Sequence, residues 1–186
     1  GRAPGRPSFE LDLVNHGPHG IIIGTTGSGK SELLRTLLIS LAATFPPDRV
    51  NFLLIDFKGG SGLLPFVPLP HTVGLVTNLR NGEANAHERL EAKVLRTIAW
   101  LDAERNRRLK LLTDAGYSDI AEMEAAHDPS APPRLLIVAD EFAGLAKTGN
   151  DGTDVVDEIV NIARLGRSVG IHLLLATQRA GGVISE

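Results

Sequence analysis

Short apolar runs of strand length alternate with stretches whose apolar residues recur at helical spacing, and this alternation sets the expected order of elements. Strands are predicted at Ile21 to Ile23, Val50 to Asp56, Val73 to Val76, Leu135 to Ala139 and Ile171 to Ala176. Helices are predicted from about Ser31 to Thr44, from roughly Ala84 to Leu112, through the stretch that Pro129 to Pro133 closes, and from Val155 to Leu165. The longest of them repeats Leu90, Val94, Ile98 and Leu101 at helix spacing. Trp100 falls within it as a packing residue rather than a platform for stacked bases. Pro46 and Pro47 break the first helix, and a glycine-rich segment, Gly59 to Gly62, with a proline-studded loop ending near His71, follows the second strand. Strand runs apolar on both faces, interleaved with helices, predict an α/β fold with a mainly parallel sheet and helices on both faces. The opening GRAPGRPS reads as linker, which divides the chain into a lead-in at 1–15 and a single domain at 16–186.

Composition narrows the function classes. Nineteen basic residues against twenty-two acidic ones give a net charge of −3, so the chain as a whole exerts no pull toward nucleic acid or a membrane surface. The basic run Arg105 to Lys110 (RNRRLK) reads as a solvated helix face, with a nucleic-acid contact as the alternative. The absence of Cys excludes a disulfide framework and a thiolate metal site, and the six His show no paired ligand spacing. The longest apolar runs are strand-sized, too short for a bilayer, and no signal peptide opens the chain, so cytosolic chemistry is expected.

Between the first predicted strand and the first predicted helix stands GTTGSGKS, residues 24–31, a full match to G-x-x-x-x-G-K-[ST]. Gly24, Gly27 and Gly29 allow a tight turn in which successive N–H groups of Gly24, Thr25, Thr26, Gly27, Ser28, Gly29, Lys30 and Ser31 face phosphate oxygens. Lys30 brings a point charge to the β- and γ-phosphates, and the Ser31 hydroxyl is placed to ligate magnesium, so ATP with Mg2+ is the expected ligand. The run LLIVAD ends in Asp140, a candidate for the magnesium shell, and Glu141 follows at once as a candidate to polarise an attacking water. That pair points to hydrolysis rather than phosphoryl transfer to a metabolite. Gln178 and Arg179 follow the last strand at the carboxyl end of the sheet, where a polar side chain can sense the γ-phosphate. Asp56 and Lys58 end the second strand on the same side, a position that favours a role near the site, less defined than that of Asp140. Arg80, Arg89, Arg164 and Arg167 are candidates for a transition-state arginine supplied by a neighbouring subunit, and spacing does not choose among them.

The segments GTTGSGKSELLRTLL, NFLLIDFKGG, LPHTVGLVTNL, LLIVADEFAGL, ARLGRSVGIHLLLATQR and GVIS occur in the order found in the FtsK/SpoIIIE family of hexameric translocating ATPases, which the chain resembles from Gly17 onward. DFKGG and the SELLRTL helix are similar to the branch that drives type VII secretion, EccC/EssC. The resemblance implies a RecA-like P-loop core in which the strand before Gln178 lies between the cradle strand and the Asp140 strand. It implies that Lys30 and Ser31 bind phosphate and magnesium, Asp140 the metal shell and Glu141 the catalytic water, with Gln178 as sensor and Arg89 acting across a subunit interface. It further implies a ring, a hexamer by analogy, at the cytoplasmic face of the bacterial membrane, attached through regions outside this fragment. The implied cargo is small helical WXG-type proteins; the alternatives are a double-stranded DNA translocase on the same core and a nucleotide-binding regulatory module with little turnover. The family continues with further strands beyond the point matching Glu186, so the fragment by itself is expected to be weakly active.

Overall fold

In a computed structural model, described here at residues 12–14, 17–56, 62–77, 86–141 and 155–178, the alternating pattern becomes a five-stranded parallel sheet. In chain order the elements are β1 (His19–Ile23), α1 (Lys30–Thr44), β2 (Val50–Asp56), β3 (Thr72–Thr77), α2 (Ala86–Ala115), α3 (Ile120–Ala125), β4 (Arg134–Asp140), α4 (Val155–Gly166) and β5 (Ile171–Thr177). The strand order is β1-β5-β4-β2-β3, so β5 does lie between the cradle strand and the Asp140 strand. Lys58, Arg80, Arg179, Gly59 to Ser61 and the opening linker lie outside the described residues.

Alternation along each strand sorts the core into two layers. Phe52 and Leu54, Leu136 and Val138, and Leu174 and Ala176 pack with Leu34 and Leu38 of α1 on one face. Leu53 and Ile55, Ile137 and Ala139, and Leu173 and Leu175 pack on the other with Val94 and Leu101 of α2 and Ile159 and Ile162 of α4. Leu34 and Leu38 are fully buried, each stabilising the fold by roughly 2 kcal/mol through removal of apolar surface from water. This α1 face also carries the even-numbered strand ends, and it thereby aims Asp56 and Asp140 toward the start of α1.

The structure corrects three expectations. The strands are not uniformly apolar on both buried faces: β2, β4 and β5 are, but β1 and β3 are sheet edges, and Ile21, Ile23 and Val73 are about half exposed. Trp100 is 44% exposed, because it falls on the shoulder of α2 beside edge strand β3 rather than beneath the sheet. The basic run is not one solvated face. Arg107 and Lys110 pair outward with Glu104 and Asp114, whereas Arg108 is 3% exposed and donates to Glu104 Oε1 at 2.7 Å and to the Val169 carbonyl at 3.1 Å. Each cation of the run meets an acid on its own helix, Arg105 with Asp102 and Arg108 with Glu104 included, so the run offers little free charge to a polyanion.

At the strand-start end of the sheet, His172 is buried, its Nε2 3.1 Å from an Arg134 guanidinium nitrogen and its Nδ1 3.0 Å from the Pro18 carbonyl. A guanidinium only donates, so Nε2 accepts and Nδ1–H donates to Pro18. Burial first, then the Arg134 charge, pushes the His172 pKa down to about 4. Arg134 is itself paired with Glu124 at 2.6 Å.

Candidate nucleotide site

The loop after β1 is built for close approach to a ligand. Gly27 and Gly29 have φ of 82° and 87°, the left-handed region that side chains bearing a Cβ avoid. A Cβ on Gly24 would collide with Ser28 Oγ, so a larger residue there would displace the Ser28 side chain. Gly24 N donates to the Thr177 carbonyl at 3.1 Å, which fixes the loop to the end of β5, and Ser28 N donates to the Thr25 carbonyl at 3.1 Å. Helix α1 begins at Lys30 with no side chain capping its first N–H groups. Those open donors and the positive end of the helix dipole face the loop.

Three elements bring the charged groups together. Asp140, at the end of β4, is 2% exposed, and Ser31 Oγ donates to its Oδ2 at 3.2 Å. Lys30, itself 6% exposed, holds Nζ 3.5 Å from Asp140 Oδ1 and 3.4 Å from Glu141 Oε2. The Lys30 contact to Asp140 is an ion pair but not a hydrogen bond, and Asp140 Oδ1 is a buried oxygen accepting none. Glu141 adopts φ of 59°, a left-handed conformation costing a non-glycine residue roughly 1–2 kcal/mol, which turns its side chain out of the strand direction and back over Lys30. Gln178, just past β5, receives the Thr26 hydroxyl on its Oε1 at 2.9 Å, so it touches the loop directly.

Of the residues singled out in the sequence, Gly24 to Ser31, Asp140, Glu141 and Gln178 thus converge at the carboxyl end of the sheet. Arg89 lies in the first turn of α2, after β3, and β3 is four strand steps from β1, roughly 19 Å. Arg164 and Arg167 precede β5 and sit at the opposite end, about 20 Å from Gln178 along that strand. The sequence position of Asp56 favours a role near the site without defining it; the residue is 1% exposed and pairs in register with Asp140. The signal available was that VNFLLID and RLLIVAD both end apolar runs with an acid.

The donor set fits the ligands that its pattern implies. A hydroxyl and carboxylate oxygens, one of them a buried oxygen lacking a hydrogen bond, suit a hard divalent cation. The glycine-lined turn, uncapped helix start and buried ammonium suit a polyphosphate.

Fold and site together define a P-loop nucleotide-binding domain. The FtsK/SpoIIIE family model matches residues 5–182, and the chain belongs to that family. It is 42% identical over 185 residues to the ESX secretion system protein EccC of Geobacillus thermodenitrificans, covering 95% of this chain and 12% of that protein. Among solved structures it resembles the cytoplasmic domain of the Thermomonospora curvata type VII secretion ATPase EccC, with a TM-score of 0.79, 43% identity, and coverage of 95% of this chain and 20% of that one. It also resembles ATPases 2 and 3 of T. curvata EccC in complex with a signal sequence peptide (TM-score 0.75, 28% identity, 95% and 31% covered). A fourth likeness is the pCW3 conjugation coupling protein TcpA with ATPγS (TM-score 0.63, 28% identity, 94% and 46% covered). The chain therefore spans about one eighth of the length of the curated EccC relative. No helix among the described residues is long and apolar enough to cross a membrane.

Proposed function

We propose that this chain, with its domain beginning near residue 16, is an ATP-hydrolysing motor domain of a protein-export translocase of the type VII secretion kind. The observation carrying this reading is the convergence of Lys30, Ser31, Asp140 and Glu141 within hydrogen-bond and ion-pair distance at the mouth of an uncapped helix.

Placement supports each proposed role. The N–H groups of Gly24 to Ser31 and the Lys30 ammonium would hold the phosphates, neutralising charge that develops on the terminal group. Ser31 and Asp140 would hold the magnesium shell. The ion, when bound, supplies charge neutralisation on the β- and γ-phosphates. Phosphate competing for Lys30 frees Glu141 from its 3.4 Å ion pair, and Glu141 then orients a water and accepts its proton. Gln178, tied to Thr26, reports on phosphate occupancy of the loop and passes a change to β5.

Arg89 completes a neighbour's site in a ring, a hexamer by analogy with the family. Its place in the first turn of α2 supports this, because α2 follows β3, the sheet edge opposite the cradle strand β1. Such a ring would act at the cytoplasmic face of the bacterial membrane on small helical WXG-type proteins. The net charge of −3 and the self-neutralised RNRRLK run favour a polypeptide cargo over duplex DNA.

The test is stimulation of ATP hydrolysis in the full-length protein by a C-terminal secretion peptide against duplex DNA. Stimulation by peptide alone supports the reading; stimulation by DNA alone moves the assignment to a DNA translocase. Hydrolysis by neither, with nucleotide bound, leaves a regulatory module.

A further inference from the structure

We infer that Asp56 is a positioning residue of the metal-binding end of this site, holding Asp140 and the adjoining Gly62 wall in the arrangement that receives a divalent cation; this rests on the nucleotide-hydrolysing reading. In β2 and β4, register pairing sets Asp56 directly beside Asp140, and even numbering puts both on the face toward α1. An acid at the end of a strand ordinarily reaches water, but Asp56 is less exposed than Asp140 itself, 1% against 2%. Burying a carboxylate costs several kcal/mol unless cations or donors compensate it. Two carboxylates on adjacent strands also repel. Leu63 N donates to Asp56 Oδ2 at 3.4 Å, which ties the residue after Gly62 to this carboxylate.

Gly62 links the two acids. A Cβ built there would stand 3.3 Å from Asp140 Oδ2 and 3.5 Å from Asp56 Oδ2, so one backbone position lines both oxygens with no side chain between. Arg35 Nε donates to the Gly62 carbonyl at 3.2 Å and so anchors this wall to α1, the helix whose first residues are Lys30 and Ser31. Asp140 Oδ2 already receives Ser31, while its buried Oδ1 accepts no hydrogen bond. The second buried negative charge beside it raises the attraction for a divalent ion and provides an acceptor for the waters magnesium retains. Carboxylates and hydrogen bonds around metal ligands are worth about tenfold or more in metal affinity.

The test is a Mg2+ titration of the full-length protein at fixed non-hydrolysable ATP analogue, read by calorimetry, with analogue binding in EDTA as the reference. Asp56→Asn keeps the shape and an acceptor for Leu63 N–H. It is expected to raise half-saturating Mg2+ about tenfold or more while leaving binding in EDTA within about twofold of wild type. Gly62→Ala, whose methyl meets both acids from outside, should shift it in the same direction. A folded Asp56→Asn with wild-type Mg2+ dependence overturns the inference; should that variant not fold, unchanged dependence in Gly62→Ala overturns it. If wild type binds the analogue without any Mg2+ dependence, the metal-assisted reading of the site fails, and the role of Asp56 with it.

Discussion

Lys30 Nζ stands 3.4 Å from Glu141 Oε2, so the ammonium at the start of α1 and the acid that follows β4 hold each other. The pair spans two elements 111 residues apart and depends on the left-handed backbone of Glu141. In the proposed mechanism phosphate entering the loop would compete for the ammonium, so that binding and release of the acid would be one event.

Glu141→Gln preserves the side-chain shape and removes the base. It is expected to keep binding of Mg·ATP within severalfold and to lower steady-state ATP hydrolysis by at least about a hundredfold in the assembled full-length protein. Hydrolysis at the wild-type rate would remove Glu141 from the chemistry.

Arg89 acts in trans on this account, which a mixing experiment isolates. Rings of Arg89→Ala subunits alone, or of Lys30→Ala subunits alone, should be inactive, whereas mixed rings recover part of the activity wherever an intact Arg89 faces an intact Lys30. Mixed rings that form and show no recovery count against the assignment.

His172 gives the fold an acid-sensitive end. Its pKa is depressed to about 4 against an ordinary value near 6.5, so the folded state favours the neutral ring. The associated stability is complete above about pH 6.5 and is lost as pH falls toward 4, amounting to at most about 3 kcal/mol. Urea midpoints measured across that window should fall more steeply for wild type than for His172→Gln; parallel curves would contradict the burial argument.

Glu104 compensates the buried Arg108 guanidinium, with Arg107 hydrogen bonding first among the causes that hold the Glu104 carboxyl below its usual range. Glu104→Gln leaves that guanidinium under-compensated and is expected to cost about 3 kcal/mol in chemical denaturation with an unchanged slope. A loss below about 1 kcal/mol would show that the Val169 carbonyl satisfies Arg108 by itself.

What could be read from the sequence divides along physical lines. The buried strands were legible because VNFLLID, RLLIVAD and IHLLLAT are long apolar runs, and β2 spans the expected residues Val50 to Asp56. The edge character of β1 and β3 was not legible, since Ile21 and Val73 look like core until the strand order is known. The cradle was legible because its residues are contiguous. Arg108 was not: the Val169 carbonyl that buries it comes from 61 residues away. Asp56 needed the pairing of β2 with β4, and the turned backbone of Glu141 leaves no mark in side-chain periodicity.

The most direct measurement is a calorimetric titration of the protein with a non-hydrolysable Mg·ATP analogue, in parallel with Lys30→Ala. The account predicts saturable heat for wild type and affinity weakened at least about tenfold when the ammonium is removed. No heat from wild type, or identical binding by Lys30→Ala, would contradict it.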